Sequence, residues 1–335
     1  MLIFVCLCRD IRSTNAEIVQ NSVWTLTNLS YLSSKHTNLI VNNQSIFDTF
    51  HQNWHTYSIV IKTQVYWLFS NLIGESIELR DYLVSNTEII RKFILPQLND
   101  HLENEKKPKS RTVEVNDLYQ RFIENLLWMC TNLMRYLAKT YDPIKQELRK
   151  VIYPCCYLLK SYACKLNNQS VQELVVNLSW VICFSSEDHT GSRSLILDSN
   201  ILRTCVDMLY FPSLKDSIKS ALIRTLGNFC AGTEIETQEV IKSSAIPALY
   251  ELLSLKNSSV QLNGKIRKEI VWIFSNIAAG NSEQIIHLVK SVDGKLFRHI
   301  VNLSQNAEDR VRKEALYTIT SALNGIRSQD VSKNT

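Results

Sequence analysis

Glycine is scarce in this sequence, with eight among 335 residues, and no apolar run approaches the ~20 residues that a membrane-spanning helix requires. The opening MLIFVCLC is apolar, but it ends at Arg9 and Asp10 and has no basic residue ahead of it. It is therefore neither a bilayer span nor a secretory leader. Residues 1–8 read instead as the end of a helix whose repeat begins upstream. The nine cysteines have no metal-site spacing, since Cys6-x-Cys8 and Cys155-Cys156 lack a second pair. Most sit inside apolar helical pattern, as small buried filler for a reducing compartment. The seven histidines are dispersed, and neither HExxH nor a phosphate-cradling loop occurs. These absences predict a protein that is not an enzyme and uses no cofactor or metal.

What is present is a recurring pair. In RKEIVWIFSNIAAGN (267–281), Ile270, Ile273, Phe274 and Ile277 form one apolar stripe, while Trp272 and Asn276 stand four apart and so share a helix face. The pair returns intact as Trp24/Asn28, Trp67/Asn71 and Trp128/Asn132, and altered as Trp180/Phe184, Arg224/Asn228 and Tyr317/Ser321. Steps between first members run 43 (24 to 67), 61 (67 to 128), 52 (128 to 180), 44 (180 to 224), 48 (224 to 272) and 45 (272 to 317) residues. Four of the six lie at or near the ~40–47 residue period of armadillo and HEAT arrays. The expected fold is all-α, a right-handed superhelical armadillo-repeat solenoid of about seven repeats over residues 1–326. Such an array has no single core to outgrow, because each repeat packs only on its neighbours.

Proline and glycine punctuate the repeats. Leu95-Pro96, Tyr153-Pro154 and Ile246-Pro247 each open a helix, two helices per interval follow that mark, and Gly74, Gly232, Gly280 and Gly325 are expected to close the second. The step of 61 is explained by Asn99 to Asp117, a charged stretch without apolar period that reads as a flexible insertion. Within it, Lys106-Lys107-Pro108-Lys109 is itself a lysine pattern that a basic-peptide groove would read. Residues 327–335 read as a polar, frayed tail.

A ladder of Trp and Asn suits an extended peptide. Equivalent helices stand about 8–10 Å apart and a strand advances ~3.3 Å per residue, so each repeat meets two or three ligand residues. An asparagine amide donates and accepts, and can hold a peptide backbone whatever its sequence. The slot between consecutive indoles fits the stem of Lys or Arg, with cation–π attraction at its head. A tryptophan at helical spacing is by itself more often core than platform. Recurrence with Asn at the fourth position argues otherwise, because a buried Asn ladder without partners is costly.

These residues resemble the importin alpha (karyopherin alpha) family of nuclear import adaptors, and the resemblance runs over residues 4–326. It implies a protein shared between cytoplasm and nucleus that binds the basic nuclear localisation signals of cargo proteins. The major site implied comprises Trp24, Asn28, Thr37, Trp67, Asn71, Glu75, Trp128, Asn132, Glu173 and Trp180. The minor site comprises Arg224, Asn228, Thr237, Glu269, Trp272, Asn276, Glu314 and Tyr317. Thr37 and Glu75 fall where the family receives its most selective lysine, Thr237 and Glu314 are their minor-site counterparts, and Arg135 is a further groove position.

The sequence departs from the family in places. Asn177 replaces an acid of the major site, Leu32 replaces a glycine, and Tyr317/Ser321 replaces a Trp/Asn pair. The family's basic N-terminal segment, which binds importin beta, has no counterpart, which leaves that partner open. Neither nucleic acid nor membrane is expected as a partner. The formal net charge of +5 supports one rival: an armadillo scaffold that binds other extended or acidic partners without a transport role.

Overall fold

The computed structural model describes residues 2–105, 113–254 and 263–333. Every regular element among them is helical, and none is long and apolar enough to cross a membrane. Seven helices carry the ladder positions: α1 (Ala16–Leu32), α2 (Ile59–Glu75), α3 (Val113–Met134), α4 (Gln169–Ser186), α5 (Asp216–Cys230), α6 (Gly264–Ala278) and α7 (Asp309–Lys333). Two compact units divide them, Met1–Asp188 with α1 to α4 and His189–Thr335 with α5 to α7.

Between ladder helices the chain forms two more helices, giving a unit of three. After α2 come Ile77–Thr87 and then Leu95–Glu105; after α5 come Glu234–Lys242 and Ala245–Ser254. The proline-marked helix is where the sequence puts it. The short helix before it is not expected from periodicity, which eight to eleven residues are too few to reveal. Its signal lies in the cap. Ser76 accepts from the Leu79 amide, and Thr233 with Glu236 and Asn281 with Gln284 close full capping boxes, which satisfy amides that a first turn leaves bare.

In the N-terminal unit, α1 to α4 pack in succession. Val23 and Leu26 of α1, Leu68 and Leu72 of α2, and Leu126 and Leu133 of α3 are buried. Phe69 sits among Phe47, Phe50 and Phe93, with ring centroids 5.6, 6.0 and 5.1 Å away. Each buried ring of this size contributes roughly 1.5–3 kcal/mol. In the C-terminal unit, α6 packs between α5 and α7, through Ile270, Phe274 and Ile277 with Leu226 and Ala315 in the same core.

Three expectations are corrected. The described residues of the charged stretch are helical: Leu95–Glu105 reaches into it from one side and α3 begins at Val113 on the other. Its inward positions are filled by polar residues with partners, which hides the helical period. His101 is buried between the hydroxyls of Tyr119 and Tyr162, and Glu105 pairs with Lys165 at 2.8 Å. Lys106, Lys107, Pro108 and Lys109 lie outside the described residues. Secondly, α7 continues through the expected tail to Lys333. Thirdly, Gly74 and Gly325 lie inside α2 and α7, while Gly232 and Gly280 do stand just past helix ends.

Candidate peptide-binding groove

The ladder of the N-terminal unit follows from helix register. Trp24 and Trp67 are 52% and 45% exposed, so neither is core, and Trp128 and Trp180 are half-buried. The amides hang from the preceding ladder helix at one repeated register. Asn71 donates through Nδ2 to the Thr27 carbonyl (3.4 Å) and to Ser30 Oγ (3.2 Å), and Asn132 donates to the Ser70 carbonyl (3.1 Å). Thr27 and Ser70 each stand three residues after their own tryptophan. Each amide thus commits its nitrogen to the array, which leaves Oδ1 as the group that could accept from a ligand. Asn28 is exposed on α1. Trp180 lacks an amide and stacks on Phe184 instead, centroids 5.4 Å apart.

Two cavities lie along this face. One of about 310 Å³ brings together Asn71, Glu75, Trp128, Asn132 and Arg135. Glu75 accepts from Ser34 Oγ at 2.6 Å and is exposed, a carboxylate beside two ladder amides. The other, about 530 Å³, is the slot between Trp67 and Trp128, with Gln64, Arg121, Glu124 and Asn125 on its walls. These four were missed in the sequence, although the offset was there to use: Gln64 and Asn125 precede their tryptophans by three residues and Arg121 by seven. Glu173 is exposed on α4.

Thr37 and Thr237 are placed otherwise than expected. Both are buried, and each hydroxyl donates to main-chain carbonyls: Thr37 to Ser30 and Ser33, Thr237 to Cys230 and Thr233. They tie a short helix to the end of the ladder helix before it, and so face the array rather than a ligand.

In the C-terminal unit the expected residues are gathered, but largely onto one another. The Arg224 guanidinium lies over the Trp272 ring, 5.7 Å from its centroid, and pairs with Glu269 at 3.0 Å. Lys313 covers Tyr317 at 5.7 Å. Glu314 accepts from Ser275 Oγ at 3.4 Å, and Asn228 is buried. Asn276 Nδ2 and Glu269 Oε2 are buried without a hydrogen-bond partner, one donor and one acceptor beside the covered indole. Trp272 lies flat on α5 because Gly227 has no side chain: a Cβ there would stand 2.4 Å from Trp272 Cζ3. Gly227→Ala should therefore destabilise the C-terminal unit by about 1–3 kcal/mol and shift tryptophan fluorescence, whereas an unchanged melt and spectrum would place the indole elsewhere.

No family model matches the chain. Among curated relatives, importin subunit alpha-1a of Oryza sativa subsp. japonica is 25% identical over 264 residues, 79% of this chain and 43% of that protein. Importin subunit alpha-8 of Arabidopsis thaliana is 25% identical over 307 residues, 91% of this chain and 59% of that protein. The chain spans about half the length of the curated relatives it matches. Solved structures with the same fold include a designed armadillo repeat protein in complex with the peptide (KR)4, at TM-score 0.52 and 14% identity, covering 94% of this chain and 98% of that one. Computationally designed armadillo repeat proteins for modular peptide recognition match at TM-score 0.53 and 14% identity, with the same coverage. The fold is thus an all-α armadillo array, and the sequence is similar to importin alpha subunits.

Proposed function

We propose that this chain, whose similarity to importin alpha subunits spans most of its length, is an adaptor that holds extended basic peptides of the nuclear-localisation-signal class. The N-terminal unit is the binding face. The observation that carries this reading is the repeated register of Asn71 and Asn132, each held through Nδ2 by the ladder helix before it, in a cavity beside partly exposed indoles. An amide with an open acceptor grips a strand through its backbone N–H, and Glu75 supplies charge for a lysine. A carrier of such cargo works in both cytoplasm and nucleus.

A second reading has its own observation. In the C-terminal unit the aromatic platforms already carry the chain's own cations, Arg224 and Lys313, which favours an acidic partner there. Fluorescence anisotropy with a lysine-rich and an aspartate-rich peptide of equal length separates the two. The lysine-rich peptide should bind, and Trp272→Ala should change its affinity less than about threefold, because that ring is covered from within. Preferential binding of the aspartate-rich peptide would sink the basic-peptide reading.

A further inference from the structure

The positions seven residues before each ladder residue of the N-terminal unit are Glu17, Val60, Arg121 and Glu173. Seven residues are two turns, about 10.5 Å along the helix, and return to nearly the same face. They therefore form a second row beside the ladder, and along it run an acid, an apolar residue, a cation and an acid. Glu17, Arg121 and Glu173 are exposed. Val60 and Arg121 line the slot between Trp67 and Trp128.

Two polar groups of that slot have no partner among the described residues. The Arg121 guanidinium has neither a hydrogen bond nor an ion pair with any described residue. Gln64 lines the slot, and its Oε1 is buried and accepts nothing. Glu124 is already engaged, taking a hydrogen bond from Gln120 Nε2 at 3.0 Å. An ammonium sent between the indoles answers Gln64 once that amide turns its oxygen into the slot, because a buried acceptor without a donor is costly and Lys brings three donors. The same ammonium does nothing for Arg121. A second lysine beside it would place like charges together.

We infer that the slot between Trp67 and Trp128 sets the specificity of this groove, taking from one extended peptide a cationic side chain against Gln64 and a carboxylate against Arg121. Residues i and i+2 of a strand point the same way and stand about 6.6–7 Å apart, so both fit one slot of this size. A carboxylate met by a guanidinium forms a charge-assisted, forked pair. The preferred ligand is thus a basic peptide interrupted by one acidic residue at a fixed register. This rests on the reading of the N-terminal unit as an extended-peptide site.

The test uses the full chain and dye-labelled peptides of alternating Lys and Gly, with each lysine replaced in turn by Glu. At one position the Glu peptide should bind about fivefold tighter than the all-lysine parent at low salt, the scale of a partly exposed ion pair. Arg121→Ala should abolish that preference and Arg121→Glu should reverse it. The inference is overturned if the all-lysine peptide binds best at every position, or if Arg121→Ala keeps the preference. Should the all-lysine peptide bind in a Trp67-dependent way with no favoured Glu position, only the specificity falls. If no peptide of the series binds, the groove reading falls with it.

Discussion

Replacing Arg80 with Ala should lower the unfolding free energy by about 3–5 kcal/mol, the scale for removing one member of a buried charged network. Arg80 lies on Ile77–Thr87 and is only 1% exposed. Its guanidinium donates to the carbonyls of Leu133 and Arg135 at the end of α3, to Thr140 Oγ1, and to Asp81. A helix C-terminus leaves carbonyls without intrahelical partners, and a cation placed there also opposes the helix dipole. Truncation strands these acceptors in the interior, where each unmet group costs about 1–3 kcal/mol. Urea denaturation would show the loss as an earlier midpoint of the transition that contains the N-terminal unit. Arg80→Lys should recover only part of it, since an ammonium lacks the planar fork that reaches four acceptors at once. A change below about 1 kcal/mol for Arg80→Ala would mean that α3 ends without its help.

The second large effect is on binding. Trp67→Ala combined with Asn71→Ala should weaken a lysine-rich peptide at least thirtyfold, about 2 kcal/mol, while the protein stays folded. Trp67 is half-exposed, so truncation forfeits part of one ring's burial, and Asn71 contributes hydrogen bonds to Ser30 and Thr27. Together these cost about 2 kcal/mol of stability. A core tryptophan would cost ~3–5 kcal/mol alone. Thermal melting beside anisotropy therefore separates a platform from a core residue. Lost affinity with a large fall in melting temperature would assign Trp67 to the core.

The ladder was legible in the sequence because it repeats: four intact Trp/Asn pairs at a common offset define a helix face, and the structure puts them on equivalent helices. The proline-marked helices were legible for the same reason. What escaped was whatever does not repeat or is not apolar. Arg80 in ELRDYL reads as surface charge, and nothing local tells that the end of α3 closes over it. His101 and Glu105 disguised a packed helix as a loop, since a buried polar residue with a partner looks in sequence like a solvated one. Thr37 had the right offset and the wrong direction, because spacing gives a position along the chain but not which carbonyl takes the hydroxyl proton. Arg121 lay seven residues before Trp128 in plain view. Only the structure sets it on the wall of the slot between Trp67 and Trp128.

Three residues after each of the first six ladder positions the chain has a small side chain: Thr27, Ser70, Thr131, Cys183, Gly227 and Ser275. At Thr27 and Ser70 this is the socket that receives the next amide, and at Gly227 it receives the next indole. Repeats are therefore directional parts with a plug on one side and a socket on the other. Tandem duplication of the α2 repeat would set the copied Asn71 against the original Ser70, the match that Asn132 already makes. A duplicated Trp272 repeat would instead find Ser275 where its indole needs Gly227. Growth of such an array by internal duplication is thus mechanically permitted in its first half and obstructed after α6, unless a glycine is copied or acquired with it.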